Sequence, residues 1–177
     1  MKKELFFKVL DGKQSCNGGE AKWIMNRWMP EVKVDACRSG YHLCRPQDLI
    51  HWLGKDIYLA EGRGSRVDCN DKVVFAQARI VKLVRAWDEK SARLFACWCA
   101  RQTWDALTDD RSKNAVRVSE RFAKGLATAD ELEAARSAAR SAVESAAESA
   151  ARSAAWSAQT RRLIKILGIN IKTGEVK

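Results

Sequence analysis

Val73-Val74-Phe75-Ala76-Gln77-Ala78-Arg79-Ile80-Val81-Lys82-Leu83-Val84-Arg85-Ala86-Trp87, followed by Leu94, Cys97, Trp98, Trp104 and Leu107, is the stretch that divides this sequence. Up to Val84 the apolar residues are largely β-branched and fall into the short runs 73–76 and 78–84, which is strand chemistry. After Trp87 they recur at helical spacing on one broad face. Upstream, Leu5–Leu10 has the composition of a first strand closed by the turn Asp11-Gly12, Val32-Lys33-Val34 alternates, and Asp56–Glu61 is a strand bounded by Gly54 and Gly62. Asn17-Gly18-Gly19 and Glu61-Gly62-Arg63-Gly64 are expected to be turns, since neither fits a phosphate-cradling glycine motif. Pro46–Leu53 has proline at a first helical position and apolar residues at helical spacing, which predicts one short helix.

Downstream, Asp109-Asp110 offers a helix cap, Ala115, Val118 and Phe122 mark a buried stripe, and Gly125 supplies a stop. Thr128-Ala129-Asp130-Glu131 is a capping box for a third helix. From Arg136 the pattern Arg/Glu-Ser-Ala-Ala repeats every four residues to Trp156, and alanine at this density predicts one long helix over 129–167. Its small residues suit close packing against another helix or a second copy of the chain. The fold class expected is α+β: a mixed α/β module at 1–87, then an all-α module at 88–168 with the long Ala/Ser-rich helix. The tail 169–177 alternates like an edge strand.

The 177 residues carry 32 Lys and Arg against 22 Asp and Glu, a formal charge of +10. Residues 1–87 hold 16 basic and 10 acidic side chains and the remainder 16 and 12, so the surplus is spread and forms no basic arm. A diffuse surplus of this kind makes nucleic acid a candidate partner without providing a recognition module. No apolar run reaches the length of a membrane span, and Met1-Lys2-Lys3-Glu4-Leu5-Phe6-Phe7-Lys8 breaks before a signal segment is complete. The expectation is a soluble protein of a bacterial host's cytoplasm, with no membrane partner and with its six cysteines reduced.

Cys37-Arg38-Ser39-Gly40-Tyr41-His42-Leu43-Cys44 is the densest polar constellation. Cys37, His42 and Cys44, with Cys16 or Cys69, offer zinc ligands, but six residues separate Cys37 from Cys44, where structural sites open on a tighter knuckle. Packed cysteines and a packed or capping histidine are the simpler assignment, with no metal and no cofactor. Cysteine catalysis from Cys37 or Cys44 would need His42 or His51 as base, and no nucleophile signature surrounds either thiol. Cys97 and Cys99 stand two apart on a helix and are expected to fill core. Trp23 and Trp28, two of seven tryptophans, lie near Met25, Met29 and Pro30 and suit a contact surface. With Arg38, Tyr41 and His42 they form the partner-binding set expected from sequence.

Two family resemblances rest on particular residues. Val34-Asp35-Ala36-Cys37-Arg38-Ser39-Gly40-Tyr41-His42-Leu43-Cys44-Arg45-Pro46, then Asp71-Lys72-Val73-Val74, resembles an uncharacterised domain of tailed-phage and prophage proteins marked by C-x-x-G-[FY]-H-x-C and a later D-K-V; it covers residues 4–86 or so. Arg93–Ala100, Asp110-Arg111-Ser112, Gly125-Leu126-Ala127-Thr128 and the Ala-rich repeats are similar to a helical family of phage and bacterial proteins labelled immunity proteins, over residues 90–160 or so. The resemblances imply phage or prophage origin and no particular reaction. The function expected is therefore non-enzymatic: a counter-defence, anti-CRISPR-like inhibitor that binds a host or defence-system component. One alternative is nucleic-acid binding through the basic surface. Another is an enzyme, because Gly40-Tyr41-His42 before a helix and Tyr58 on a strand resemble ADP-ribosyltransferase-like folds, with Glu61 as the acidic candidate.

Overall fold

The computed structural model describes residues 4–16, 21–36, 38–105, 107–140 and 152–176. The chain forms two compact units, Met1–Asp88 together with Leu163–Lys177, and Glu89–Arg162. Strands and helices are both present, and they segregate along the chain as the change of period at Trp87 implies.

The first unit is built on β1 (Phe6–Asp11), β2 (Gln14–Ser15), β3 (Tyr41–Leu43), β4 (Asp56–Asp68) and β5 (Val73–Leu83), in the antiparallel order β2-β1-β4-β5-β3. Gly12 and Lys13, at φ +55° and +69°, make the two-residue turn between β1 and β2, as Asp11-Gly12 suggests. The sheet then closes on itself. Phe7 and Cys44 exchange both backbone hydrogen bonds at 2.8 Å, which ties the end of β3 to β1 and turns β1-β4-β5-β3 into a small barrel. One face of its strands packs Phe6, Leu10, Leu43, Tyr58, Ala60, Val73, Phe75, Ala78 and Ile80 around Trp23. Phe7, Val9, Ile57 and Val74, alternating with these, are buried too, so several strands read as continuous apolar runs.

Three local expectations need correction. Gly62 and Gly64 are not a turn but the middle of β4, at a register shift between Arg63 and Arg66. A Cβ on Gly62 would stand 2.3 Å from the Phe75 ring, so glycine is there to admit that ring. Pro46–Leu53 forms only a 3-10 turn at Leu49–His51, because Asp48 Oδ2 accepts from the backbone N–H (3.1 Å) and Nε (2.6 Å) of Arg45 and folds the segment tightly. Val32-Lys33-Val34 is no strand; the segment before it runs along β5, with Asn26, Met29 and Val32 N–H groups donating to Ile80, Ala78 and Ala76 carbonyls at 2.8–3.0 Å.

The second unit contains α1 (Glu89–Arg101), α2 (Asp110–Ala123) and α3 (Ala129–Arg140). Asp109 caps α2 by accepting from Ser112 N–H at 2.7 Å, and Leu126 N–H returns to Arg121 O at 2.8 Å to finish it. The Thr128–Glu131 capping box is formed in both directions, at 2.7 and 3.2 Å. Val118, Leu132 and Ala135 pack with Ala115 and Phe122; Cys97 is buried and Cys99 partly so. α4 (Arg152–Ile166) resumes the Ala-rich run, whose middle, including Ala146 and Ala150, lies outside the described residues. The boundary expected at 168 falls earlier: Leu163, Leu167 and Ile169 are buried, and residues from Leu163 onward group with the first unit. The tail adds no edge to the barrel sheet; β6 (Ile169–Asn170) and β7 (Glu175–Val176) pair with each other. No helix among the described residues is long and apolar enough to cross a membrane.

Candidate functional site

Phe6, Lys8 and Leu10 alternate onto one face of β1, so a lysine occupies a position whose neighbours are core. The barrel seam explains it. β1 and β3 are joined by the single Phe7–Cys44 bridge, and beside that bridge lies a cavity of about 480 Å³ lined by both strands. Lys8 Nζ reaches across the seam to donate to His42 O at 3.1 Å, and stands 5.1 Å from the centre of the Trp23 ring. Burial pulls the Lys8 ammonium below the usual lysine range.

Two further cations line the same cavity. Arg38 is exposed on the Asp35–Ser39 turn, held by reciprocal backbone bonds of 2.8 and 2.9 Å, and Lys72 stands 5.0 Å over the Trp52 ring. Trp52 is fixed by donating its indole N–H to Asp71 O at 2.9 Å. Trp23, Tyr41 and Trp52 supply aromatic wall, Ser15 and Ser39 supply hydroxyls, and no acidic residue is among the described lining residues. Tyr41 O–H donates to Pro30 O at 2.9 Å and its ring meets Trp23 edge-on at 5.6 Å.

The nucleophile candidates are quiet. Burial pushes the Cys44 thiol up to about 12, so it stays protonated at neutral pH. Burial, reinforced by the charges of Lys72 and Lys8, holds His42 below the ordinary imidazole value and keeps it uncharged there. Glu61, the acid of the enzyme alternative, does not line the cavity with His42; Arg79 holds its carboxylate at 2.6 and 2.9 Å, while Tyr58 is packed in the core. Among the described residues no three His, Cys, Asp or Glu side chains come together as a metal site, and Cys37 lies outside those residues.

Arg38, Tyr41 and His42 of the sequence-derived set thus converge on one cavity. Trp23 does not belong on a contact surface: it is 2% exposed and forms core and cavity wall at once. Trp28 is elsewhere, with the guanidinium groups of Arg63 and Arg79 at 4.1 and 4.7 Å from its ring centre. Lys8, Lys72 and Trp52 were missed by sequence. Comparison with family models, curated proteins and solved structures gives no match. What the site does must therefore come from its own chemistry.

Gly40 is the hinge of that chemistry, leading from the Arg38 turn into β3. Its φ is +122°, and a Cβ there would lie 2.4 Å from Val74 Cγ1. Gly40→Ala is expected to combine backbone strain with overpacking, about 2–5 kcal/mol together. Urea unfolding measures this directly, and a loss below about 1 kcal/mol would mean that the turn relaxes without strain.

Proposed function

We propose that this chain acts by binding and not by catalysis, as a phage- or prophage-encoded protein in the cytoplasm of a bacterial host. Its target is a host or defence-system component, and the cavity beside Lys8 receives an anionic group of it. The observation that carries the reading is the cavity lining: three cations, aromatic walls and no acid among the described residues. A desolvated cation attracts an anion more strongly than a surface one does, because water screens less there. The phage resemblance of residues 4–86 or so supports the setting.

The test is capture from host lysate on immobilised protein, with retained proteins, nucleic acids and small molecules all identified. Arg38→Gln/Lys72→Gln removes two charges that hold no core together. Its column is expected to lose the principal retained component at least about tenfold, as losing well-placed charge contacts of about 1.4 kcal/mol or more would do. Equal retention on both columns overturns the reading.

A second reading, nucleic-acid binding, is favoured by a different observation in the helical unit. Arg101, Lys113 and Arg117 lie 4.7, 5.9 and 5.3 Å from the ring centre of Trp104. Arg101 is paired with Glu120; Lys113 and Arg117 have no carboxylate partner among the described residues. This reading predicts a steep loss of oligonucleotide affinity between about 50 and 200 mM salt, with a log–log slope shallower by about 1 in Arg117→Ala.

A further inference from the structure

We infer, resting on the cavity as the binding site, that its ligand is a nucleotide-class molecule: a phosphate monoester carried on a flat ring, with the phosphate among Lys8, Lys72 and Arg38 and the ring against the aromatic wall. Charge, size and wall chemistry point there independently.

The charge argument selects the head group. Three cations line the cavity, and neither Lys8 nor Arg38 has a carboxylate partner among the described residues. A single carboxylate would leave most of that charge unanswered, whereas a phosphate monoester carries about −1.5 to −2 at neutral pH with three acceptor oxygens. Lys8 has donors for it, since among the described residues its ammonium, which has three N–H donors, makes one hydrogen bond, to His42 O. Ser15 and Ser39 hydroxyls add neutral donors. Burial disfavours the charged form of Lys8, a penalty that a bound dianion relieves.

Size leaves room for more than the bare ion. A volume of about 480 Å³ equals that of roughly sixteen water molecules at about 30 Å³ each, far more than inorganic phosphate fills. It falls inside the range of about 300–1,000 Å³ typical of small-molecule sites. The wall then decides what the rest of the ligand is. Tyr41 and Trp52 offer aromatic surface, and neutral His42, whose ring interacts with the Ala36 backbone, offers its other ring nitrogen as an acceptor, which suits a heterocycle with polar edges better than an aliphatic chain.

The experiment is calorimetric titration of the full chain with AMP and UMP, beside adenosine, inorganic phosphate, a single-stranded oligonucleotide and a poly-glutamate peptide. Mononucleotides are expected to bind, with adenosine and inorganic phosphate each at least about tenfold weaker, the first for want of charge and the second for want of a ring. Lys8→Met is expected to lose mononucleotide binding at least about tenfold. Arg38→Gln and Lys72→Gln, which change side chains outside the core, are expected to weaken it too and give the test if Lys8→Met fails to fold. Peptide binding that depends on these cations, without any mononucleotide binding, overturns the ligand class and leaves the cavity reading standing. Absence of any anion binding that depends on Lys8, Lys72 or Arg38 overturns both. Oligonucleotide binding indifferent to all three, with mononucleotides silent, places the nucleic-acid contact elsewhere and overturns the inference.

Discussion

Truncating Trp23 to alanine is expected to destabilise the barrel unit by about 3–5 kcal/mol, the range for a large aromatic removed from a core. The side chain is 2% exposed and packs within the cluster of Phe6, Leu10, Leu43 and Phe75. It also holds three things in register: the Tyr41 ring edge-on at 5.6 Å, Ser15 Oγ as acceptor of its indole N–H at 3.3 Å, and the Lys8 ammonium over its face. Alanine would leave a void beneath an ammonium, so the cavity should deform as the core loosens. Trp28→Ala makes the contrast, because that ring is only partly buried between Arg63 and Arg79, and about 1–2 kcal/mol is the scale of such cation–π contacts. Urea midpoints of the two variants should therefore separate clearly. Equal midpoints would mean that Trp23 lies at the surface, as its loop position alone implies.

That error at Trp23 shows which parts of the molecule were legible in the sequence. Features closed within a few residues came through: the Gly12-Lys13 turn, the Asp109 cap, the Thr128–Glu131 box and the stop at Gly125. Each is satisfied by local hydrogen bonds, so its residue types suffice to announce it. Gly62 was opaque because its reason is the ring of Phe75 on the neighbouring strand. The short turn after Pro46 was opaque because Arg45 and Asp48 bind each other, and Arg45 also donates to Cys69 O at 2.7 Å, a contact across the fold.

The site divides in the same way. Arg38, Tyr41 and His42 share one segment, and their polar density marked them out. Lys72 and Trp52 come from two other segments and meet them only through tertiary pairing: the β3–β5 ladder sets Lys72 beside His42, and the Trp52 indole N–H donates to Asp71 O. Lys8 did leave a sequence signal. Between Phe6 and Leu10 it sits at the inward period of an otherwise apolar strand, where a charge has no place unless something answers it.

Cys44 provides the second large effect, in alkaline solution. Its thiol titrates near 9.0 when exposed in the unfolded chain and is pushed up to about 12 in the fold by burial. Between those values the unfolded chain releases a proton that the native state keeps, so stability falls as pH rises, by about 1.4 kcal/mol per pH unit and about 4 kcal/mol across the window. Lys8 works with the opposite sign. Its native pKa lies below the ordinary 10.5, so until pH 10.5 the unfolded state binds the extra proton and stability rises with pH. The wild-type curve should therefore be held up by Lys8 at first and fall more steeply above 10.5. Urea midpoints of wild type, Cys44→Ala and Lys8→Met, followed from pH 8 to 11.5, separate the two contributions. Cys44→Ala should begin slightly less stable because of its small cavity and then decline less than wild type. Lys8→Met should lose the early support and decline from pH 9 onward. Of the other raised groups, Cys97, Cys99, Tyr41 and Tyr58 act alike in all three proteins and cancel in the differences, whereas Cys16 feels the Lys8 charge and cancels only between wild type and Cys44→Ala. Wild-type and Cys44→Ala curves that run parallel from pH 9 to 11.5 would show that the thiol meets water in the native state, and the burial of Cys44 beside the Phe7–Cys44 bridge would have to be abandoned.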